Sequence, residues 1–322
     1  TTESTVADVT SLNTLDENSI GPVNAASIES ITGTMFDLLI AYGSTGITGL
    51  GNEAISVSDI LTLAASDLNS LDLKTDGIVT TSTSLETLTG LVEELNIAYG
   101  SSGLSIDGDE AITISDETVD AAELNILNNY TLGVIDADTL TKLTGALVEV
   151  NTAFAADALA SGATISGLGD QDVELTDTNI LAADLDTLNG YTEGNVDAST
   201  VEVMEGSIEI LNNVYAGSES NGNGISGLGS EAVIVTDTEV PDASTLVTLN
   251  NNTLGFVTAD SVTEISGSAS ALNILLTSGN DLSQFTSDSF SLLETVNVID
   301  NTISVEDLNS AIDQAKESTG HT

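Results

Sequence analysis

The sequence predicts an α/β repeat solenoid of short parallel strands and short helices, with about five repeats of about 60 residues each. Three observations lead to this prediction. A glycine-rich phrase recurs along the chain, apolar-alternating segments take turns with segments that carry leucine at helical spacing, and a break at glycine returns at nearly constant intervals. Consecutive strands joined by helical crossovers must point the same way, so we expect the strands to be parallel.

The recurring phrase is TGITGLGNEAISVSD at residues 45–59, which returns as ATISGLGDQDVELTD at 163–177 and NGISGLGSEAVIVTD at 223–237. A divergent copy, SGLSIDGDEAITISD, occupies residues 102–116. Each copy opens with a glycine loop and closes in an alternating run. The period of two in that run predicts a half-buried strand.

A second kind of half-repeat carries the regular break. Its copies start at Val23, Val79, Val134, Val196 and Val257, and the break glycines are Gly33, Gly90, Gly145, Gly206 and Gly267. These glycines lie 57, 55, 61 and 61 positions apart. The spacing sets the length of the full repeat.

Helix starts are expected after the strands, because a Ser or Thr there can accept from the free N–H groups of the next helix. The candidates after the alternating runs are Ser58, Ser115, Thr176 and Thr236. In the second half-repeat, Thr34 followed by Asp37 resembles a capping box. The helix MFDLLIAY that follows is expected to place Phe36, Leu39 and Ile40 on one apolar face. Matching helical segments are expected at 91–99, 147–154, 208–215 and 270–276.

Turns after the first kind of half-repeat end in glycine, at Gly21, Gly77, Gly133, Gly194 and Gly255. We expect glycine there to supply the positive φ that stops a helix. An all-β solenoid is the alternative fold, because the predicted helices are short and rich in Ser, Thr and Asn. The chain is divided into an incomplete N-terminal repeat at 1–21, a repeat array at 22–283, and a C-terminal incomplete repeat and tail at 284–322.

The charge of the chain restricts its partners. It carries 51 acidic residues against 3 Lys or Arg, for a net charge of −48. Such a chain repels nucleic-acid phosphates and anionic membrane surfaces, so neither is expected to bind. Cysteine is absent, which excludes disulfides and thiolate metal sites.

The sequence predicts that the protein is not an enzyme. Its one histidine, His321, lies next to the end of the chain, so no His-based triad or zinc site with two His ligands can form. The ISGLG loop lacks both the GxGxxG spacing and the lysine of a phosphate-binding loop, and it is expected to lead into a strand rather than to follow one. We expect no catalytic residue and no cofactor, calcium excepted.

Calcium remains a candidate because carboxylate oxygens are abundant and calcium prefers hard oxygen ligands. The best local cluster is Asp107, Asp109 and Glu110. Aspartates also follow the strands in register, at Asp59, Asp116, Asp177 and Asp237. Helix capping is the more economical explanation for those four.

Both ends of the sequence fall inside a half-repeat, which would leave a cut face of the stack open at each end. A heterologous contact between such faces grows a filament. At that junction we expect Val6, Leu12, Leu15, Ile303, Leu308 and Ile312. Two alternatives are a piece of a longer array and a monomer whose terminal segments are caps.

Phrases such as LNTLD, LNIAY and NGISGLGSEAV, together with VNAASI followed by ITG, resemble the repeats of very large acidic surface proteins of marine cyanobacteria. The resemblance implies an extracellular or cell-surface structural role, and it supplies no catalytic residue. The first hypothesis is therefore a non-enzymatic extracellular protein that assembles with itself, end to end, into a filament or layer. The alternative is an adhesin that recognises a glycan or another cell through variable loops, with insertions at 155–163 and 216–224.

Overall fold

The structure is a computed structural model, and it describes residues 6–158, 164–218, 224–237, 240–276, 285, 290 and 292–299. This part of the chain holds ten helices and many short strands, all of whose pairings are parallel. The predicted α/β class is confirmed, and the all-β alternative is wrong. None of these ten helices is long and apolar enough to cross a membrane.

The helices are short, and each except α9 begins directly after a strand or after a single connecting residue, whereas α9 follows an isolated bridge at Asp242. They are α1 (Val9–Asn18), α2 (Met35–Gly43), α3 (Ala65–Asp72), α4 (Val92–Gly100), α5 (Ala121–Tyr130), α6 (Leu147–Asp157), α7 (Ala182–Tyr191), α8 (Ile208–Ser218), α9 (Ala243–Asn252) and α10 (Ala269–Leu276). Those at 91–99, 147–154, 208–215 and 270–276 were predicted from the sequence.

Strands have two to four residues each. In the first half of the chain they are β1 (Val6–Asp8), β2 (Val23–Asn24), β3 (Ser30–Gly33), β4 (Ile47–Thr48), β5 (Ala54–Val57), β6 (Thr62–Ala64), β7 (Val79–Thr80), β8 (Thr87–Gly90), β9 (Leu104–Ser105), β10 (Ala111–Ile114), β11 (Thr118–Asp120), β12 (Ile135–Asp136), β13 (Lys142–Gly145) and β14 (Ile165–Ser166). In the second half they are β15 (Asp172–Leu175), β16 (Asn179–Leu181), β17 (Asn195–Asp197), β18 (Val203–Gly206), β19 (Gly224–Ser226), β20 (Ala232–Val235), β21 (Val257–Thr258), β22 (Glu264–Gly267) and β23 (Thr295–Val298).

The strands occupy five recurring positions in their sheets. Position one lies before an odd-numbered helix, position two before an even-numbered helix, and position three is the alternating run after a glycine loop. Position four follows an odd-numbered helix, and position five follows an even-numbered one. The sheet β1-β3-β5-β7-β9 contains all five in this order.

The first compact unit contains the described residues up to Thr141 and those between Ala155 and Leu168. It holds the complete sheets β1-β3-β5-β7-β9 and β6-β8-β10-β12-β14. It also holds the pair β2-β4, in which β2 is a strand of position four and β4 a strand of position five. The inward residues of the first sheet pair Ile31 with Ile55 and Ile55 with Val79. Helices α1 to α5 pack against one another in chain order.

The second compact unit contains Lys142–Phe154 and the described residues from Gly169 onward. Its sheets are β13-β15-β17-β19 and β16-β18-β20-β21, and it ends in the pair β22-β23, strands of positions two and three. The alternating runs are half-buried as predicted. In β15, Val173 and Leu175 are buried while Asp172 and Glu174 are exposed.

The buried face of the helices follows a constant pattern. In α2 to α10 the first, fourth and seventh residues are buried, as Met35, Leu38 and Ala41 are in α2. The predicted face of Phe36, Leu39 and Ile40 is wrong, because Phe36 and Ile40 are exposed and Leu39 is only half-buried. The helix is apolar on most of its circumference, so its sequence alone does not determine which face packs.

An asparagine after the core leucine or valine joins neighbouring helices. Its side-chain amide donates to the carbonyl of the third residue of the next helix, at 2.9–3.1 Å. The donors are Asn13, Asn69, Asn96, Asn151 and Asn212, and the acceptors are Asp37, Glu94, Glu123, Asp184 and Thr245. This ladder gives a structural reason for the recurring leucine–asparagine phrase.

Helix capping differs from the prediction in most places. Thr34 caps α2 as expected, accepting from the Asp37 N–H at 3.2 Å. Ser58, Ser115, Thr176 and Thr236 do not cap the next helix, because further residues, including β6, β11 and β16 in the first three cases, come first. Their backbone N–H groups instead donate to the break glycines Gly33, Gly90, Gly145 and Gly206. The extra three-residue strands were too short to show a sequence period.

Candidate functional site

Each glycine loop joins two strands of its half-repeat. The loop at 49–52 runs from β4 to β5, and the loop at 227–230 runs from β19 to β20. The prediction that the loop follows no strand is therefore wrong, since a strand of two or three residues precedes it. Gly227 has φ +85°, and a Cβ there would lie 2.6 Å from the Ser199 backbone, so only glycine fits this close approach.

A buried side chain fills the inside of each loop. It belongs to Glu53, Glu110, Gln171 or Glu231, each at most 3% exposed. The second glycine of the loop donates its N–H to this side chain, over 2.9 Å from Gly51 and 2.7 Å from Gly169 and Gly229. In three loops the next N–H does the same, from Asn52, Asp170 and Ser230. The loop thus directs its amides to an acceptor in its own chain.

A tyrosine of the preceding even-numbered helix completes three of these sites. The hydroxyls of Tyr42, Tyr99 and Tyr215 donate to the carboxylates of Glu53, Glu110 and Glu231. Burial, and then the hydrogen bond to the carboxylate, raise the pKa of each tyrosine far above its usual value. These hydroxyls therefore remain protonated donors throughout the neutral range.

The fourth site replaces both partners together. Phe154 stands where the other helices have tyrosine, and Gln171 stands where the other loops have glutamate. Gln171 still accepts from Gly169 through its side-chain oxygen. In these four sites a tyrosine hydroxyl therefore occurs only where the loop has a carboxylate. The joint change of Tyr to Phe and Glu to Gln is the signal in the sequence by which the site could have been found.

The turns after α3, α5, α7 and α9 dock on these sites. The backbone N–H of the middle residue of each turn donates to the carbonyl of the loop glycine, from Leu132 to Gly108 at 2.6 Å and from Leu254 to Gly229 at 2.7 Å. Its threonine hydroxyl also donates to the loop or to the buried residue, and it accepts from the N–H of the turn glycine at 2.9 Å. We call these turns, at 75–77, 131–133, 192–194 and 253–255, the docking turns.

The glycine that ends each docking turn is needed for close approach rather than for positive φ. A Cβ would lie 2.2 Å from the Glu53 carbonyl oxygen at Gly77 and 1.9 Å from that of Glu110 at Gly133. Gly194 and Gly255 are as crowded, by Gln171 and Glu231. None of the five predicted turn glycines has positive φ. The prediction that these glycines supply a positive φ is therefore wrong, although the docking turns do require glycine.

The strand-end aspartates cap helices of the preceding half-repeat. Asp59 accepts from the first N–H of α2 at 2.7 Å, and Asp116 accepts from that of α4 at 2.9 Å. Asp177 and Asp237 do the same for α6 and α8 at 2.7 Å. A carboxylate at a helix N-terminus is stabilised by the free N–H groups and the helix dipole. These aspartates were predicted to cap the helix that follows them, whereas they cap the helix of the half-repeat before.

The calcium cluster is divided by the fold. Asp107 and Asp109 are exposed, whereas Glu110 is 3% exposed and accepts from Tyr99 and Gly108. The three carboxylates therefore do not converge. Within the described residues, no group of three His, Cys, Asp or Glu side chains could hold a metal ion.

The predicted junction residues have different surroundings. Leu12 is buried in its own stack, at 5% exposure, while Val6 and Leu15 are exposed. Val6 holds a strand position that is exposed at Thr62 and Thr118 too, so its exposure is ordinary. Ile303, Leu308 and Ile312 lie outside the described residues, and their role stays a prediction.

Leu15 is exceptional for its place in the repeat. It is the seventh residue of its helix and is 58% exposed. The corresponding leucines of α3, α5, α7 and α9 are Leu71, Leu127, Leu188 and Leu249, and each is 0% exposed. Leu15 is therefore exposed at a helix position that is buried in α3, α5, α7 and α9.

No protein-family model matches the chain, and no curated protein matches its sequence.

Proposed function

We propose that the chain is a non-enzymatic extracellular structural protein whose copies assemble end to end into a filament or layer. The observation that carries the proposal is the incomplete core of the first layer, by which we mean β1, α1 and β2. Leu15 is exposed where every other odd-numbered helix buries its leucine. A second copy of the chain, packed against the first layer, would bury Leu15 as the interior leucines are buried.

Strand β2 supports the same interpretation. It is an edge strand of the pair β2-β4, whereas β7, β12 and β17 each have a position-three strand on one side and a position-five strand on the other. Val23 of β2 is half-buried, while the corresponding Val79, Ile135 and Val196 are 0% exposed. An open edge with apolar residues favours pairing with another chain.

The repeated loop sites support a structural role rather than catalysis. The Glu53, Glu110 and Glu231 carboxylates are at most 3% exposed and take their hydrogen bonds from loop amides and tyrosine. A general acid or base must reach the proton it transfers. These groups hold half-repeats together, and solvent and substrates do not reach them.

The charge predicts how assembly depends on salt. Each copy carries a net charge of −48, so approach of two copies is opposed at low ionic strength. Salt at about 0.15 M reduces the Debye length to about 8 Å and screens that repulsion. Assembly is therefore expected to require salt or divalent cations, without a specific metal site.

Sedimentation velocity and negative-stain electron microscopy across a salt series test the proposal. The natural chain should be monomeric at low salt and form linear assemblies at high salt. Val23→Asp, which places a carboxylate at the open edge, should stay monomeric. Leu132→Asp is the matched control, because Leu132 is 88% exposed on a docking turn away from that edge. A natural chain that remains monomeric at high salt and high concentration would refute the proposal.

The adhesin alternative stays a prediction. The loops that would carry it follow α6 and α8, and residues 159–163 and 219–223 of these loops lie outside the described part of the chain.

A further inference from the structure

We propose that the junction forms by strand addition: β23 of one copy pairs in parallel with β2 of the next, with Val296 opposite Val23. This inference rests on the end-to-end assembly proposed above and specifies its register. The partner is a second copy of this chain, and the contact is directional.

The positions of the strands in their sheets select this pair. Strand β2 holds position four, so the neighbour that it lacks among the described strands is one of position three. Strand β23 holds position three, and its described neighbour is β22, of position two. The neighbour that β23 lacks among the described strands is one of position four. The two open edges are thus the two halves of one repeated pairing.

Among the described strands that pairing occurs four times, always parallel and in the same register. It joins β5 to β7, β10 to β12, β15 to β17 and β20 to β21. The inward residues that face each other are Ile55 and Val79, Ile112 and Ile135, Val173 and Val196, and Val233 and Val257. Val296 holds the place of the first member, since it pairs with Ile265 as Ile55 pairs with Ile31. Val23 holds the place of the second, since it pairs with Ile47 as Val79 pairs with Leu104.

The hydrogen bonds of the pairing can be formed by both edges. In the repeated pairing the N–H of Ile55 donates to the Ile78 carbonyl at 2.9 Å, and that of Val233 donates to Phe256 at 2.7 Å. The corresponding bond at the junction runs from the Val296 N–H to the Pro22 carbonyl. Proline lacks an N–H, but this bond requires only its carbonyl.

Both edge strands are less buried than the corresponding interior strands. Val296 and Val298 are half-buried, whereas the corresponding Ile112 and Ile114 of β10 are 0% and 1% exposed. Val23 is likewise half-buried where Val79 is 0% exposed. Neither β23 nor β2 carries a charged residue, so the pairing strands add no carboxylates to the contact. Pairing would bury Val23 and Val296 as the interior pairs are buried.

Cysteine cross-linking tests the register, because the natural chain has no cysteine. Full-length Val23→Cys and Val296→Cys are prepared separately, mixed at a salt concentration that supports assembly, and oxidised. Residues paired across adjacent strands are close enough for a disulfide. We expect a disulfide-linked dimer from the mixture and none from either variant alone.

Thr295→Cys mixed with Val23→Cys is the matched control. It shifts the thiol by one residue, which turns it to the opposite face of the strand, so cross-linking should be lost. Electron microscopy of the natural chain under the same conditions separates the two proposals. Assemblies without the Val23–Val296 cross-link would overturn the register while end-to-end assembly stands. Absence of assemblies would overturn both proposals.

Discussion

The first layer and the interior layers have the same sequence plan and different surroundings. Leu15 in α1 and Leu127 in α5 hold the same helical position, and they are 58% and 0% exposed. Their own helices do not decide this difference, because both helices bury their first and fourth residues. The core of a layer is completed by the layer before it, which is the behaviour of a repeat stack with nearest-neighbour interfaces.

The docking turns show the same difference at the backbone. Gly133 lies against the carbonyl of Glu110, whereas a Cβ on Gly21 in the first layer would meet nothing within 4 Å. Ser19 accepts from the Gly21 N–H, as the threonine does in the interior turns. The local turn therefore forms without a glycine loop to dock on.

The largest effect is expected from a charge at a core position. Val79→Asp would bury an unpaired carboxylate at a fully buried site and should lower the free energy of unfolding by more than about 4 kcal/mol. Val23→Asp at the corresponding place in the first layer should cost about 1 kcal/mol or less. Urea unfolding followed by circular dichroism, at a salt concentration where the chain is monomeric, measures both. Equal losses would show that the two layers do not differ.

A methyl group on the docking turn should have the next largest effect. Gly133→Ala would place Cβ 1.9 Å from the Glu110 carbonyl oxygen, and the backbone shift should cost about 1–3 kcal/mol. Gly21→Ala is the control and should be near neutral. The same urea experiment compares them, and an equally destabilised Gly21→Ala would contradict the role assigned to close approach.

The loop sites predict a coupled pair of substitutions. Tyr99→Phe leaves the buried Glu110 carboxylate without one donor, which should cost about 1–3 kcal/mol. Glu110→Gln added to it reproduces the natural Phe154–Gln171 pair, so the double variant should recover part of that loss. A double-mutant cycle should give a coupling energy of about 0.5–3 kcal/mol. Additive effects would mean that the hydroxyl and the carboxylate act separately.

The same pair predicts a loss of stability in alkali. The pKa of Tyr99 is raised in the folded chain, while an unfolded tyrosine deprotonates near pH 10, at about its ordinary pKa. Unfolding above that pH therefore releases a proton, so this contribution to stability is complete below about pH 10 and falls as the pH rises further. Urea midpoints between pH 8 and pH 11 should decline less in the Tyr99→Phe, Glu110→Gln double variant than in the natural chain.

The smallest effect is expected at a helix cap. Asp116→Ala removes the acceptor for the first N–H of α4 and should cost about 1 kcal/mol. Asp107→Ala, at an exposed aspartate of the neighbouring glycine loop, is the control and should be neutral. The urea midpoints of the two variants measure this difference. Equal midpoints would show that Asp116 does not stabilise α4 by capping it.

The sequence predicted the repeated elements because its periods are long and regular. The alternating run of β15 and the helices that follow the break glycines were predicted correctly. Contacts between half-repeats could not be predicted in the same way. The cap that Asp59 provides for α2 crosses 24 residues, and the crowding at Gly133 involves a carbonyl 23 residues earlier. Such contacts depend on how half-repeats stack, which no local pattern encodes.

The tyrosine–carboxylate sites were within reach of sequence analysis. Tyr42 and Glu53, and Tyr99 and Glu110, are each 11 residues apart, and Phe154 and Gln171 change together. The sequence could not predict which face of α2 is exposed, because Phe36 and Leu38 are both apolar and only packing distinguishes them.

Solvent access to Leu15 reports directly on whether end-to-end assembly covers the first layer. Leu15→Cys introduces the only thiol of the chain at the uncovered core position, and Leu132→Cys places one at a site that stays exposed. Maleimide labelling is measured for both at low salt and at a salt concentration that supports assembly. Leu15→Cys should react at low salt and be protected at high salt, while Leu132→Cys should react under both conditions. Labelling of Leu15→Cys that is equally fast under both conditions would contradict this prediction.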